Sequence, residues 1–322
     1  MAAPPPGLLG HVTADVVCLA SFNADLVAHV PRPIARGETL SASAFATRPG
    51  GKGSNAAVAA ARQGARVALV ARIGDDAYGR MAEDLWRAEG IATGHVEVAA
   101  GEATGVAQIL VYADGDNSIA VYAGANAWLA ERHAHGARAA LVGCRVAIAS
   151  CEVPIAATLA AFRIAREAGA VTVLNPAPAQ ALPDTLLEVV DVLTPNESEL
   201  PVVAGLPPGT PVDVAAEALL ARGVHAVLVT LGAAGCALHR RGAAVHRLPG
   251  RYMPVVDTVG AGDTFNGALA AALARGNPLP EALRWANAAA ALSVTGPGAI
   301  GAMPSLQAVA ALLAEDEARA RE

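Results

Sequence analysis

The sequence predicts an α/β fold: a largely parallel sheet covered by helices on both faces, with a small second sheet standing apart from it. Three observations carry this expectation. Short apolar runs such as Val16–Ser21, Val67–Ile73 and Arg145–Ser150 are continuous rather than alternating, as strands buried on both faces are. Helical patterns separate these runs, opening at Pro154 and closing at Gly90 and Gly169. By contrast, Leu26–Val30, Val106–Tyr112 and Ser118–Tyr122 mix apolar and polar positions between Pro, Gly and Asp-Gly signals, and read as short antiparallel strands with one wet face.

In chain order, residues 1–14 read as a disordered lead-in and 15–322 as one α/β domain. Val16–Ser21 is the first strand, ending in Phe22-Asn23-Ala24-Asp25. Polar residues past a strand's C-terminal end are where open α/β sheets place ligand contacts. The small sheet is inserted near 24–48 and 104–123, with Gly37–Arg48 polar and rich in Ala, Ser and Thr. Tyr78–Glu89 and Pro154–Ala168 are helices, and Val171–Leu174, Val189–Leu193 and Ala226–Leu231 are further strands. More polar groups follow these strands: Glu152, Asn175, Thr194–Glu199 and Thr230–Gly235. Ala261–Ala274, Pro280–Thr295 and the chain from Ser305 are helical.

A chain of 322 residues holds one large α/β domain or two smaller ones. Net charge is −6 and no long basic cluster occurs, which argues against nucleic acid as the main partner. No apolar run approaches the roughly 18–20 residues of a membrane span, and the first residues lack the charge pattern of a signal peptide. The cysteines, Cys18, Cys144, Cys151 and Cys236, form no C-x-x-C pair, and three lie in apolar runs. A cytoplasmic globular protein with reduced thiols is expected.

Two glycine-bearing stretches stand at helix starts. In Gly50-Gly51-Lys52-Gly53-Ser54-Asn55 the backbone can approach a ligand closely while Lys52 and Asn55 donate hydrogen bonds; equally, the stretch suits a plain loop and cap with a solvated lysine. It fails the phosphate-loop pattern, since position 46 is Ala and Gly follows Lys52. Gly260-Ala261-Gly262-Asp263 precedes an apolar helix whose free N–H groups and dipole favour an anion. Asp263 is either an ordinary cap or a base taking a proton from whatever attacks a phosphate there. Gly296–Gly301 matches G-x-G-x-x-G literally, but follows a helix rather than a strand, so it is not a dinucleotide fingerprint. His133 and His135 point to different faces of a polar helix, which suits solvent better than a metal.

These residues together resemble the ribokinase (PfkB) family of carbohydrate kinases from about Val16 to Ala302. The likeness rests on Gly50–Asn55, on Asp257–Phe265, and on the intervening blocks Gly124–Ala127, Asn175–Ala179 and Thr194–Glu199. It implies a doubly wound α/β domain whose small sheet acts as a lid and as the contact of a homodimer. It also implies ATP-dependent phosphorylation of D-ribose at O5, with Asp263 as general base and Gly260, Ala261 and Gly262 as the anion hole. Asn23, Asp25, Gly50, Gly51, Lys52, Gly53, Asn55 and Glu152 would bind the sugar. Asn196, Thr230, Leu231, Gly232, Ala233, Ala234, Gly235, Gly262, Asp263 and Asn287 would bind the nucleotide. Asn196 and Glu199 would organise Mg²⁺ through water. K⁺, as activator, would lie at Asp257, Val259, Ser293, Gly296, Gly298 and Ala302, the last standing where the family often has Ser. The family also holds kinases of other sugars and of nucleosides; the 3% aromatic content leans toward a sugar, and an intact Asp263 speaks against a silent sugar sensor.

Overall fold

The structure, a computed structural model, describes residues 14–319. Apart from Ala14, which is already buried, the expected lead-in lies outside the described residues. Among the described residues thirteen strands form two sheets: β1 (Val16–Ala20), β2 (Asn23–His29), β3 (Ala44–Gly50), β4 (Val67–Gly74), β5 (Ala92–Ala99), β6 (Gly105–Val111), β7 (Asn117–Tyr122), β8 (Val146–Ser150), β9 (Val171–Asn175), β10 (Val192–Leu193), β11 (Ala226–Thr230), β12 (Gly235–Arg240) and β13 (His246–Pro249).

The large sheet has the order β13-β12-β11-β10-β9-β8-β1-β4-β5. Its pairings are parallel from β11 through to β5, and β12 and β13 add an antiparallel edge. The chain winds outward from β1 through β4 to β5, then returns and winds the other way from β8. The order therefore reverses between β1 and β8, the place where doubly wound sheets open a crevice. Continuous apolar runs are explained by burial on both faces: Val16, Cys18 and Ala20 enter one core, and Val17 and Leu19 the other.

Alanine richness has a structural use. The helices Lys52–Arg62 and Ala261–Ala274 pack so closely that a Cβ on Gly267 would strike the Ala56 carbonyl and stand 2.5 Å from the Ala59 methyl. Larger side chains would hold these two helices apart. Their contact matters because both begin at the glycine-bearing stretches.

The small sheet has the order β3-β2-β6-β7, with antiparallel outer pairs and a parallel β2–β6 centre where antiparallel pairing was expected throughout. Residues β2 Asp25, β3 Arg48, β6 Ala107 and β7 Val121 are in register on one face. At its base Asp76 caps the helix Ala77–Ala88 and accepts from Thr104 N (2.8 Å) and Oγ1 (2.7 Å), fixing where β6 starts.

Other departures are local. The helix after the first glycine stretch starts at Lys52, so Gly53, Ser54 and Asn55 lie on its first turn, not in a loop. β10 keeps only two residues, because Val189 and Val190 close the preceding helical turn. His133 is not solvated: its ring is buried and its Nε2 meets Glu97 at 3.0 Å. All four cysteines are buried and free, and burial pushes the Cys18 thiol up to about 12. No helix among the described residues is long and apolar enough to cross a membrane.

Candidate active site

Both strands at the reversal end in polar side chains, and these meet across it. Ser21, just past β1, donates from Oγ to Glu152 Oε2 at 2.6 Å, just past β8. The same oxygen accepts from Lys52 N at 2.8 Å, while Gly53 N donates to Ser21 Oγ at 3.2 Å. The helix start is thereby stitched to both strand ends. Its glycines make the approach possible: Gly51 has φ +92°, and a Cβ there would stand 2.8 Å from Phe22 Cα. A Cβ on Gly50 would overlap the Asp25 carboxylate.

Helix contact then brings the second glycine stretch alongside the first. Asn55 Nδ2 donates to Asp263 Oδ2 at 2.8 Å, joining positions 208 residues apart. Among the described residues Asn55 Oδ1 is buried without a partner, an acceptor for a ligand hydroxyl. Gly260 takes the left-handed conformation (φ +79°) that turns the chain into the helix Ala261–Ala274. A Cβ on Gly262 would meet nothing within 4 Å, so that position is glycine for a reason other than packing.

The electrostatics single out this cleft. Burial, then the Glu152 and Asp263 charges, push Asp25 up to about 7 against the pull of Lys52. Burial likewise raises Asp263, opposed by the Lys52 charge and the Asn55 hydrogen bond. Glu152 and Glu199 are raised by burial as well. Burial draws Lys52 down, but Asp263, Glu152, Glu199 and Asp25 together outweigh it and leave the ammonium raised. Four carboxylates therefore share the field of one lysine without any of them forming an ion pair with it, and a buried carboxylate of raised pKa is a better base than an exposed one.

Past the C-terminal ends of β10 and β11 lies a cleft of ≈690 Å³ lined by Asn196, Glu197, Thr230, Leu231, Gly232 and the segment Pro208–Val212. Four of the expected nucleotide positions thus share one opening. Ala233, Ala234 and Gly235 are not in its lining: Gly232–Ala234 is an exposed turn, and Gly235 is buried beneath Leu248 and Gly250. Asn287 Nδ2 donates to Pro249 O at 3.1 Å, tying its helix to the end of β13.

The six positions expected around K⁺ are gathered too. Asp257 accepts from Val259 N (3.0 Å) and Gly298 N (2.9 Å), clamping the 296–301 turn to the Gly260 turn. Gly296 stands against Ala302, and a Cβ on Gly260 would lie 2.6 Å from the Ala299 methyl. Ser293 is buried, and its hydroxyl donates to Ala290 O at 2.8 Å.

Known proteins resemble the chain over most of its length. The profile of the pfkB family carbohydrate kinases matches residues 13–306. The chain is 38% identical to the ribokinase of Haemophilus influenzae over 291 residues, 90% of this chain and 95% of that one. It is 33% identical to the deoxyribokinase of Salmonella typhimurium, across 91% and 96% of the two chains. It superposes on the structure of Arabidopsis thaliana ribokinase complexed with ribose and ATP with a TM-score of 0.88 at 33% identity, covering 94% and 99%. The chain belongs to the pfkB family of carbohydrate kinases.

The sugar-binding positions expected from the sequence meet at the reversal of the sheet. Two residues of that region were missed as site residues in the sequence. Ser21 is the buried link between Glu152 and Gly53. Asn126 accepts from Phe22 N (3.0 Å) and donates to Phe22 O (2.9 Å) and Asn23 Oδ1 (3.0 Å), so it fixes the Asn23 side chain. A Ser at a buried strand end and an Asn inside a Gly-x-Asn turn were the available signals.

Proposed function

We propose that the chain phosphorylates D-ribose at O5 with ATP, using Asp263 as general base. The observation that carries this reading is the Asn55–Asp263 hydrogen bond: it sets a buried carboxylate of raised pKa on the first turn of a helix that opens at left-handed Gly260. Asp263 takes the proton from the sugar hydroxyl as it attacks. The N–H groups of Gly260 and Gly262 hold the charge on the migrating phosphoryl group; that of Ala261 joins them only by giving up its 3.3 Å bond to Thr258 O, and the open side of Gly262 leaves room for the phosphoryl oxygens.

Asn23, Asp25, Asn55, Glu152 and the Gly50–Gly53 backbone bind the polyol. Ionised Asp25 accepts from its hydroxyls, and Asn126 and Ser21 hold Asn23 and Glu152 in place. The nucleotide occupies the cleft at Asn196 and Thr230–Gly232, extending toward Gly262 and Asn287.

Mg²⁺ would neutralise phosphate charge, and the donor set suits an ion held mainly by phosphates and water. Asn196 Oδ1 is fully engaged by Ser198 N, Ser198 Oγ and Glu199 N, whereas Glu199 Oε2 accepts from Asn196 N and Oε1 stays available. Asn196 therefore orients Glu199, and Glu199 offers the oxygen that a bound water can use. K⁺ suits the carbonyls of the 293–302 segment beside Asp257, where Ala302 contributes no side-chain oxygen. The small sheet acts as the lid. Exposed Phe45 and Tyr122, on the face turned away from Asp25, support a second copy as its partner in a cytoplasmic homodimer.

An ADP-release assay across D-ribose, 2-deoxyribose, fructose and adenosine tests the substrate. The expected order puts ribose first. A higher kcat/KM for adenosine or fructose would overturn the ribose reading, and sugar binding without turnover would overturn the kinase mechanism.

A further inference from the structure

Arg48 has no role in the site as described so far, yet it lies on its border. It sits on β3, directly across from Asp25 and on the same face of the small sheet. An arginine beside a buried carboxylate would ordinarily pair with it. Here the two make no ion pair, and among the described residues no protein acceptor meets any Arg48 donor. The side chain instead reaches out of the small sheet to the 296–301 turn. Its Nη1 is 3.0 Å, and its Cζ 3.9 Å, from where a Cβ on Gly298 would stand.

That turn is the wall of the anion hole. Ala299, next to Gly298, packs on Gly260, and Asp257 clamps Gly298 N to the Gly260 turn. The guanidinium is thus an exposed fork of N–H donors, always charged, with its partners unfilled beside the N-terminus of the helix Ala261–Ala274. The cleft it borders is strongly acidic: Asp25, Glu152, Glu199 and Asp263 face the single ammonium of Lys52. A triphosphate arriving there meets like charge unless cations offset it.

We propose that Arg48 is a phosphate-binding residue delivered by the small sheet, donating two N–H bonds to terminal phosphoryl oxygens of the nucleotide while the sugar is bound. This rests on the phosphoryl-transfer site at Gly260–Asp263. It makes the sheet that holds Asp25 also the carrier of a charge for the phosphate, so that sugar binding and phosphate capture draw on one movable element.

The test compares Arg48→Ala and Arg48→Lys with the wild type by ADP release at saturating D-ribose, and measures ribose binding by calorimetry without nucleotide. Arg48→Ala is expected to lower kcat/KM for ATP by at least about tenfold, since bidentate charge-assisted bonds are lost, and to leave ribose affinity within about twofold. Arg48→Lys keeps the charge without the fork and should recover only part of the loss. Added guanidinium ion should raise the rate of Arg48→Ala and leave that of Asp263→Asn unchanged. Unchanged kcat/KM for ATP in Arg48→Ala, or a loss confined to ribose affinity, would overturn the assignment while the phosphoryl-transfer reading stood. A wild type without turnover would overturn that reading instead.

Discussion

Replacing Asp263 by Asn is the sharpest single perturbation. The amide keeps the shape and can still meet Asn55, so the helix contact that places residue 263 survives. What is lost is the proton acceptor. General-base catalysis contributes about 10²–10⁴-fold, so kcat should fall by that factor, equivalent to about 2.7–5.4 kcal/mol at about 1.36 kcal/mol per decade. Stability should move the other way. Asp263 is buried and its pKa is raised chiefly by burial, so its ionised form is a burden on the fold at neutral pH, and removing the charge should leave Tm unchanged or higher. The assay is steady-state ADP release with Tm followed in parallel. A kcat within about threefold of wild type, with ribose and ATP still bound, would refute the reasoning, because no other carboxylate shares the first turn of that helix.

Asp25, pushed up to about 7, should give kcat/KM for the sugar a limb that falls as pH drops below 7, and Asp25→Asn should abolish that limb in a pH–rate profile. The same raised pKa means that the folded state binds a proton the unfolded state lacks between about pH 4 and 7; Asp25 therefore costs stability as pH rises through that window, and Asp25→Asn should raise Tm at pH 8. Gly262→Ala adds a methyl where nothing stands within 4 Å, so Tm should hold while kcat/KM for ATP drops; a lower Tm with intact kinetics would contradict an open anion hole. Gly267→Val drives a side chain into Ala56 and Ala59 and should cost about 1–3 kcal/mol or more in denaturant unfolding. Ser21→Ala removes the bond to Glu152 and should cost about 1.5–3 kcal/mol, as hydrogen bonds to charged groups do.

Much of the large sheet was legible in the sequence because its strands are buried on both faces and so read as unbroken apolar runs. The edge strands escaped for the same reason in reverse. β5 alternates His95 and Glu97 with its valines and β13 carries His246 and Arg247, so neither reads as an unbroken apolar run. The parallel β2–β6 pairing is set across the 75 residues of chain between His29 and Gly105, which no local pattern records. Of the site, the glycine stretches stood out because a backbone that must pass within contact distance of another chain segment cannot carry side chains. Their meeting did not: Asn55 and Asp263 are joined only through a stripe of Ala and Gly on two helices, which as sequence is indistinguishable from plain helix-forming composition. Asn196 looked like a ligand to a cation through water, whereas its oxygen is spent on capping, a distinction that only the hydrogen bonds reveal. His133 reads as a surface residue until β5 brings Glu97 to it.

The most direct test is a crystal structure with D-ribose and a non-hydrolysable ATP analogue bound together. The account predicts an Asp263 carboxylate oxygen within about 2.6–3.2 Å of ribose O5, with the terminal phosphate on the Gly260–Gly262 amides. Ribose presenting a different hydroxyl to Asp263, or a terminal phosphate lying away from those amides, would contradict it.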